Sequence, residues 1–421
     1  MNPTHCFVLL SVVLGCPGAL AETIYLRDQL GSLEVDHIAF ETGGVRLINH
    51  DLISDPDQLP DESDDSLVPD PDEPAPSGED SPSGSSPEAE MPAPVRGRLL
   101  AWDQVRSIEG IEDPVLAAEW ARWQPVATDL WRARSRLQRG DRTLSAPLFE
   151  RHFGLFASDL NGSEMGLIVA EGLLRSRLRS GAIEALLPAA LETVRLRRAG
   201  FSTDRYQEMP PVLDEQLWLV PRLAPIPTQG NLDSKSMRSL LDRWLGSPDP
   251  VVAEIARAYA RMHDPPDFLA EGIPAKSTNL SGAALLSAAI ATGASDPQQR
   301  SVARDRFQSL LRTRSAGTPL DSWRGWFMGV SGILDQDSSL DVALLELLSI
   351  PALHLHDDPA LSVRAIEVCA DALEKNGRID EAAVLRQEIE RLDFKVDPAL
   401  LPVVLGTDTS SSDVSSEEDP R

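Results

Sequence analysis

The spacing of apolar residues changes once along this 421-residue chain, near position 111, and that change limits the fold more than any single motif does. Before it, apolar and polar residues alternate: Ile24 with Leu26, Leu33 with Val35, Ile38 with Phe40 and Val45 with Leu47. Successive side chains of a strand point to opposite faces, so this spacing predicts short half-buried strands, with Gly43-Gly44 as a tight hairpin turn. After it, apolar residues recur at every third or fourth position, the signature of helices that bury one face. Helices are expected over 115–139, 144–158, 163–179, 182–198, 234–245, 250–263, 282–294, 298–314, 320–334, 339–349, 360–376 and 379–393. The fold class that follows is mainly α: an irregular α-solenoid of helical hairpins with a small N-terminal β-barrel module.

The strand region is interrupted. Residues 51–95 are rich in Pro, Asp, Glu, Ser and Gly, with no Lys or Arg. So few large apolar residues cannot offset the entropy lost on ordering, and the stretch is expected to be a disordered acidic insertion. The segments 22–50 and 96–110 flank it and together form the expected β-module, completed by Leu99, Leu100, Ala101, Trp102 and 105–108. Residues 111–401 form the helical domain, and 402–421 an acidic disordered tail. Much of the formal net charge of −27 lies in the insertion and the tail. A chain of this charge, without a basic stripe interleaved with aromatics, argues against nucleic acid and against anionic membrane surfaces.

Residues 1–21 read as a signal peptide, with an apolar run over 7–14 and Ala19-Leu20-Ala21 before Glu22. A competing reading of the same segment uses Val13-Leu14-Gly15-Cys16, which is similar to a bacterial lipoprotein box and would anchor the chain through lipid at Cys16. No later apolar run is long enough to span a bilayer, so no transmembrane segment is expected. Either route places the protein in the periplasm or cell envelope, or outside the cell. Cys6 and Cys16 fall in the leader, leaving Cys369 as a lone buried thiol.

Within the helical domain, Ile366, Cys369, Ala370 and Leu373 share one face, Gly377 closes the helix, and Ala382 starts the next apolar face. With the turn Gly377-Arg378-Ile379-Asp380-Glu381-Ala382, this pattern resembles a tetratricopeptide repeat, in which small residues let two helices approach closely. Arg386 and Ile389 depart from the family's second helix, which makes the repeat degenerate or terminal. Residues 162–198 form a second hairpin of similar kind. The strands with the closing Trp102-Asp103-x-Val105-x-x-Ile108 resemble small SH3-like barrels of bacterial envelope proteins. The tetratricopeptide-like resemblance implies binding of a partner, while the barrel resemblance is a pattern of strands without a catalytic signature. The Pro-rich stretches 206–228 and 263–282 interrupt the helices and are expected to cross the array as extended straps.

Few residues suggest chemistry. Asp335, Asp337, Ser339, Asp341 and Glu346 have the oxygen spacing of a calcium-binding loop, but Leu340 stands where that loop needs Gly, and a capped helix start explains the same residues. His354, His356, Asp357 and Asp358 offer metal ligands on one reading and a helix cap before Pro359 on the other. Trp120, Trp123 and Trp131 fall roughly on one helix face, suited to packing or to an aromatic platform for peptide or sugar; Trp323 and Trp326 carry the same alternatives. No nucleophile elbow, phosphate loop or Cys-x-x-Cys pair is present. No catalytic, cofactor-binding or metal-binding residue is therefore assigned. The expected function is a non-enzymatic interaction protein or scaffold of the bacterial cell envelope. The alternatives are a secreted all-α hydrolase acting on carbohydrate and a calcium-responsive binding module.

Overall fold

A computed structural model describes residues 22–27, 32–48, 97–178, 183–227, 234–262, 281–312, 318–335, 339–392 and Pro402. The expected leader, the acidic insertion, residues 263–280 of the second Pro-rich stretch and the tail beyond Pro402 lie outside the described residues. The chain is mainly helical, with two small antiparallel sheets at its N-terminal end. It divides into two compact units, Met1–Trp131 and Arg132–Arg421, the boundary falling inside the first helix.

Unit 1 carries strands β1 (Glu22–Leu26), β2 (Ser32–Val35), β3 (His37–Glu41), β4 (Gly44–Ile48), β5 (Arg98–Ala101) and β6 (Val105–Glu109). They form two three-stranded sheets, ordered β2-β1-β6 and β3-β4-β5. Ile24 pairs with Leu33 on one side and Ile108 on the other, which places residues spaced two apart on one buried face. Glu41 pairs with Gly44, so the hairpin turn is Thr42-Gly43, one residue earlier than the sequence suggests, and Gly44 belongs to the strand.

The core of unit 1 is aromatic. Trp102, in the short 3-10 turn Trp102–Gln104 between β5 and β6, is fully buried and donates its indole N–H to the Thr42 carbonyl at 3.0 Å. Helix α1 (Pro114–Gln138) runs unbroken through Pro125 and sets Trp123 parallel to Trp102, with ring centres 4.7 Å apart. Phe40 and Trp120 complete the stack. Arg27 then ties the strands to α1, donating to the Val105 carbonyl and the Thr128 hydroxyl while lying 4.9 Å from the centre of the Trp131 ring.

Glu22 is the exception in this core. It opens β1 almost buried, and burial is the main cause that pushes its carboxyl up to about 7; the Ile38 backbone N–H works in the opposite direction and nearby Asp113 in the same one. A carboxyl raised above its unfolded pKa contributes stability that is complete below about pH 4.5 and is lost as pH rises through about 7. Glu22→Gln is therefore expected to match the parent near pH 4 and to exceed it by about 1 kcal/mol at pH 8. Thermal unfolding followed by tryptophan fluorescence at the two pH values checks this, and equal stability at pH 8 would contradict it.

Unit 2 contains the end of α1 and eleven further helices among the described residues: α2 (Arg142–Ala157), α3 (Glu164–Arg177), α4 (Ile183–Arg198), α5 (Ser234–Leu245), α6 (Pro250–Ala260), α7 (Ser281–Ala291), α8 (Pro297–Leu311), α9 (Leu320–Leu334), α10 (Leu340–His354), α11 (Pro359–Lys375) and α12 (Ile379–Arg391). Each has packing partners close to it in sequence: α2 on α3, α3 on α4, α5 on α6, α7 on α8, α9 on α10, and α10 and α12 on α11. Asp141, Ser163, Asp249, Asp296 and Asp358 cap helix starts through side-chain oxygens. Helix α10 continues five residues beyond its expected end at 349, through Pro351. Proline removes one helical N–H, and burial of Leu347 and Ile350 outweighs that loss.

Helices α11 and α12 pack on each other around a turn at Gly377. Gly377 adopts φ +77°, a left-handed conformation that lets Arg378 N–H reach back to the Leu373 carbonyl at 2.9 Å. Ala370 and Ala382 are both buried, and Cys369 sits fully buried on the inner face. Burial pushes the Cys369 thiol up to about 12, so it stays protonated and unreactive near neutrality.

Candidate functional site

Residues 201–227 form an ordered strap, yet one whose apolar side chains enter the core instead of crossing the surface. Tyr206, Leu217, Leu219, Val220, Leu223 and Ile226 are all buried. Their burial against helices supplies what a segment rich in proline cannot obtain from a regular backbone ladder. The strap is fastened along its length. The Gln138 side chain donates to the Arg205 carbonyl, Tyr206 to the Ile168 carbonyl at 2.8 Å, Arg175 to the Pro210 carbonyl at 2.7 Å, and Tyr259 to the Leu223 carbonyl at 2.7 Å. Burial also raises the Tyr259 phenol, which remains a neutral donor.

Two positions show how tight the fit is. Gly282 at the start of α7 lies so close to the strap that a Cβ there would stand 1.9 Å from the Leu217 carbonyl oxygen. Since the obstacle is backbone, Gly282→Ala is expected to displace the strap at a cost of about 2 kcal/mol, read by urea denaturation; an unchanged midpoint would contradict the contact. Trp218 adopts φ +57°, a conformation a bulky residue enters only when its surroundings impose it. The turn around it is closed by mutual backbone bonds between Asp214 and Leu219, and by the Asp214 carboxylate accepting the N–H groups of Gln216 and Leu217. Arg198 stacks over the Trp218 ring at 5.0 Å and pairs with Asp249.

Beneath the strap lies a buried ion network. Glu171 on α3 accepts from Arg175 at 2.6 and 2.9 Å and from Arg197 on α4 at 2.9 Å. Glu192 on α4 accepts from Arg195 and from the Trp244 indole on α5. Glu171 fixes the guanidinium of Arg175, which in turn holds the strap at Pro210 and lies 5.2 Å from the centre of the Tyr206 ring.

A cavity of about 650 Å3 opens beside this assembly. Arg142 of α2, Arg175 and Leu178 of α3, strap residues 209–214, Gln216, Pro221 and Arg222, and Thr318, Pro319 and Leu320 at the start of α9 line it. A second cavity of about 390 Å3 lies across Arg175 and the strap, bounded by Glu171, Arg197, Ser202, Thr203, Tyr206, Gln207 and Glu215. Arg175, Met209, Pro211, Val212 and Leu213 border both. The larger cavity is in the range of ligand-binding clefts, with aliphatic and proline walls and guanidinium groups at its edge. Arg222 pairs there with Asp357 at 2.9 Å, and both side chains are well exposed, so the pair is weak and exchangeable.

The residues singled out in sequence have other roles. Asp335 pairs with Arg304, Asp341 with Arg378 and Glu346 with Arg324. The described carboxylates of the calcium-like spacing are thus paired with three separate arginines; Asp337 lies outside the described residues. Asp358 caps α11 by accepting the Leu361 N–H at 3.1 Å, with Pro359 at the first helical position. Burial raises its carboxyl. Among the described residues, no three His, Cys, Asp or Glu side chains gather as a metal site. Trp120, Trp123, Trp323 and Trp326 are buried, which removes the aromatic platform a carbohydrate cleft would need from them. No described helix is long and apolar enough to cross a membrane.

The cavity itself was not visible in sequence. Only the proline density of the strap signalled that something other than helix occupies residues 206–228. Searches of family models, of curated proteins and of solved structures give no match to this chain.

Proposed function

We propose that this protein is a non-enzymatic binding scaffold of the bacterial cell envelope, and that unit 2 engages an extended segment of a protein partner in the cleft between the strap and helices α2, α3 and α9. One observation carries the reading: an ordered, core-anchored strap frames an apolar, arginine-edged cavity of about 650 Å3. Such a cleft suits an extended chain, whose side chains fill the aliphatic wall while its carbonyl and carboxylate oxygens meet guanidinium groups. The strained Trp218 turn beside it supports the same assignment, since backbone strain concentrates where a surface is held in a required shape.

The tetratricopeptide-like hairpin over α11 and α12 and the sequential packing of neighbouring helices support an irregular solenoid as the scaffold. The strand pattern of unit 1 supports an SH3-like module, and the leader-like residues 1–21 support export to the periplasm. Exposed Val342, Leu345 and Leu353 on α10 offer a further apolar surface for assembly. Val212→Glu tests the cleft because this half-buried side chain borders both cavities. Tagged full-length protein is crosslinked in cells with and without the substitution. A reproducible partner lost in the variant, with melting temperature unchanged, is the expected result; retention of every partner would refute the cleft.

A further inference from the structure

The segment that runs from the end of α1 through α2, α3, α4 and the strap has the opposite electrostatic character to the chain as a whole. Residues 132–227 contain 14 Arg against 11 Asp and Glu, a local charge of +3 in a protein whose formal net charge is −27. Three of those arginines, Arg142, Arg175 and Arg222, line the larger cavity. Arg175 is held by buried Glu171, whereas Arg222 shares an exposed and exchangeable pair with Asp357.

Asp357 also marks where the chain returns. It stands two residues before α11, and Arg364, less than two turns into that helix, donates to the carbonyl of Pro402 at 2.8 Å. Pro402 is buried there. At 1.5 Å per residue, Arg364 lies about 7.5 Å along the helix from its first residue, Pro359, which follows Asp357 by two positions. The sequence that follows Pro402 is Val403-Val404-Leu405, then Asp408, Asp413, Glu417, Glu418 and Asp419 without an intervening Lys or Arg. Extended chain covers about 3.3 Å per residue, so a handful of residues bridges the distance to Arg222.

From this charge complementarity and attachment point, we infer that the acidic segment 403–419 occupies the arginine-edged cavity of its own chain, as a competing ligand for the partner site. The inference rests on reading the cavity as a partner site. Val403, Val404 and Leu405 match its aliphatic wall, and the following carboxylates match Arg142 and Arg222. Attachment at Pro402 gives the segment a high effective concentration, so modest contacts suffice for occupancy. The acidic stretch 51–95 has similar charge but is attached to unit 1, whereas Pro402 is fixed within the unit that holds the cavity.

The test uses full-length protein and a labelled peptide of sequence 403–419, with binding read by fluorescence anisotropy. In one variant the native segment is neutralised by Asp408→Asn, Asp413→Asn, Glu417→Gln, Glu418→Gln and Asp419→Asn. The peptide is expected to bind this variant about tenfold more tightly than the parent, whose cavity is already filled. Adding Arg142→Gln and Arg222→Gln to the neutralised chain is expected to weaken binding about tenfold, and raising salt to weaken it further. Equal binding to parent and neutralised chain, binding to neither, or binding that survives loss of both arginines would overturn the inference. Tighter binding by a peptide from residues 55–80 would also overturn the choice of segment. A partner still crosslinked at the cleft, with no competition from 403–419, would end this inference alone and leave the partner site standing.

Discussion

Glu171→Ala is expected to lower the stability of unit 2 by about 3 kcal/mol, because it leaves the buried Arg175 guanidinium and the partly buried one of Arg197 without their shared counter-ion. Both carboxylate oxygens are in use, one by Arg175 and the other by Arg197, and the side chain is 3% exposed. The attraction within such a network is largely cancelled by desolvation when the network forms, but removing one member leaves the desolvation cost uncompensated. Arg175 would also lose the support that aims it at the Pro210 carbonyl, so the strap and both cavity walls should loosen together. Glu150→Ala provides the contrast. Glu150 pairs with Arg177 at 2.6 Å, but both side chains are at least a third exposed, and loss of this pair is expected to cost less than about 1 kcal/mol. Urea unfolding of the two variants should therefore separate widely. Equal, small losses would mean that the carboxylate does not organise the floor of the cleft.

Trp102→Ala is expected to cost unit 1 about 3–5 kcal/mol. The indole is fully buried, stacks on Trp123, and satisfies the Thr42 carbonyl at the β3–β4 turn. Its removal leaves a void between β5, β6 and α1 and an acceptor without its donor, two losses that add at one site. Because Trp102, Trp120 and Trp123 lie in near-parallel contact, their coupled near-ultraviolet circular dichroism should collapse in the same variant. Trp131→Phe should leave both signals nearly intact, since Trp131 lies outside the stack and is only half-buried. Retention of the dichroism in Trp102→Ala would contradict the packing described for this core.

The element types were legible in the sequence because local periodicity carries them. Alternation placed β1 to β4, the need to complete a small module pointed to β5 and β6, and helical spacing placed the twelve described helices, with errors concentrated at ends. The α10 boundary was missed at Pro351 because the apolar contacts of Leu347 and Ile350 are tertiary and leave no local mark. Sequence also favoured helix capping over calcium at Leu340; the ion pairs of Asp335, Asp341 and Glu346 come from residues up to 37 positions away and are invisible to a spacing rule.

The cleft was illegible for the same reason. Its walls come from α2, α3, the strap and the start of α9, brought together only by folding. An Arg-rich composition gave no hint that Arg142 and Arg222 would meet at one rim. The strap was half legible: its prolines excluded helix, but its apolar residues Leu217, Leu219, Leu223 and Ile226 decide that it is buried, and their partners are remote.

Occupancy of the cleft is measured by placing a photoreactive side chain at Val212 in full-length protein in cells, with a matched probe at the exposed position Arg391, and mapping adducts by mass spectrometry. A defined partner segment crosslinked from Val212 and absent from Arg391 is the expected result. Adducts of the same kind from both positions, or from Arg391 alone, would contradict a binding cleft beneath the strap.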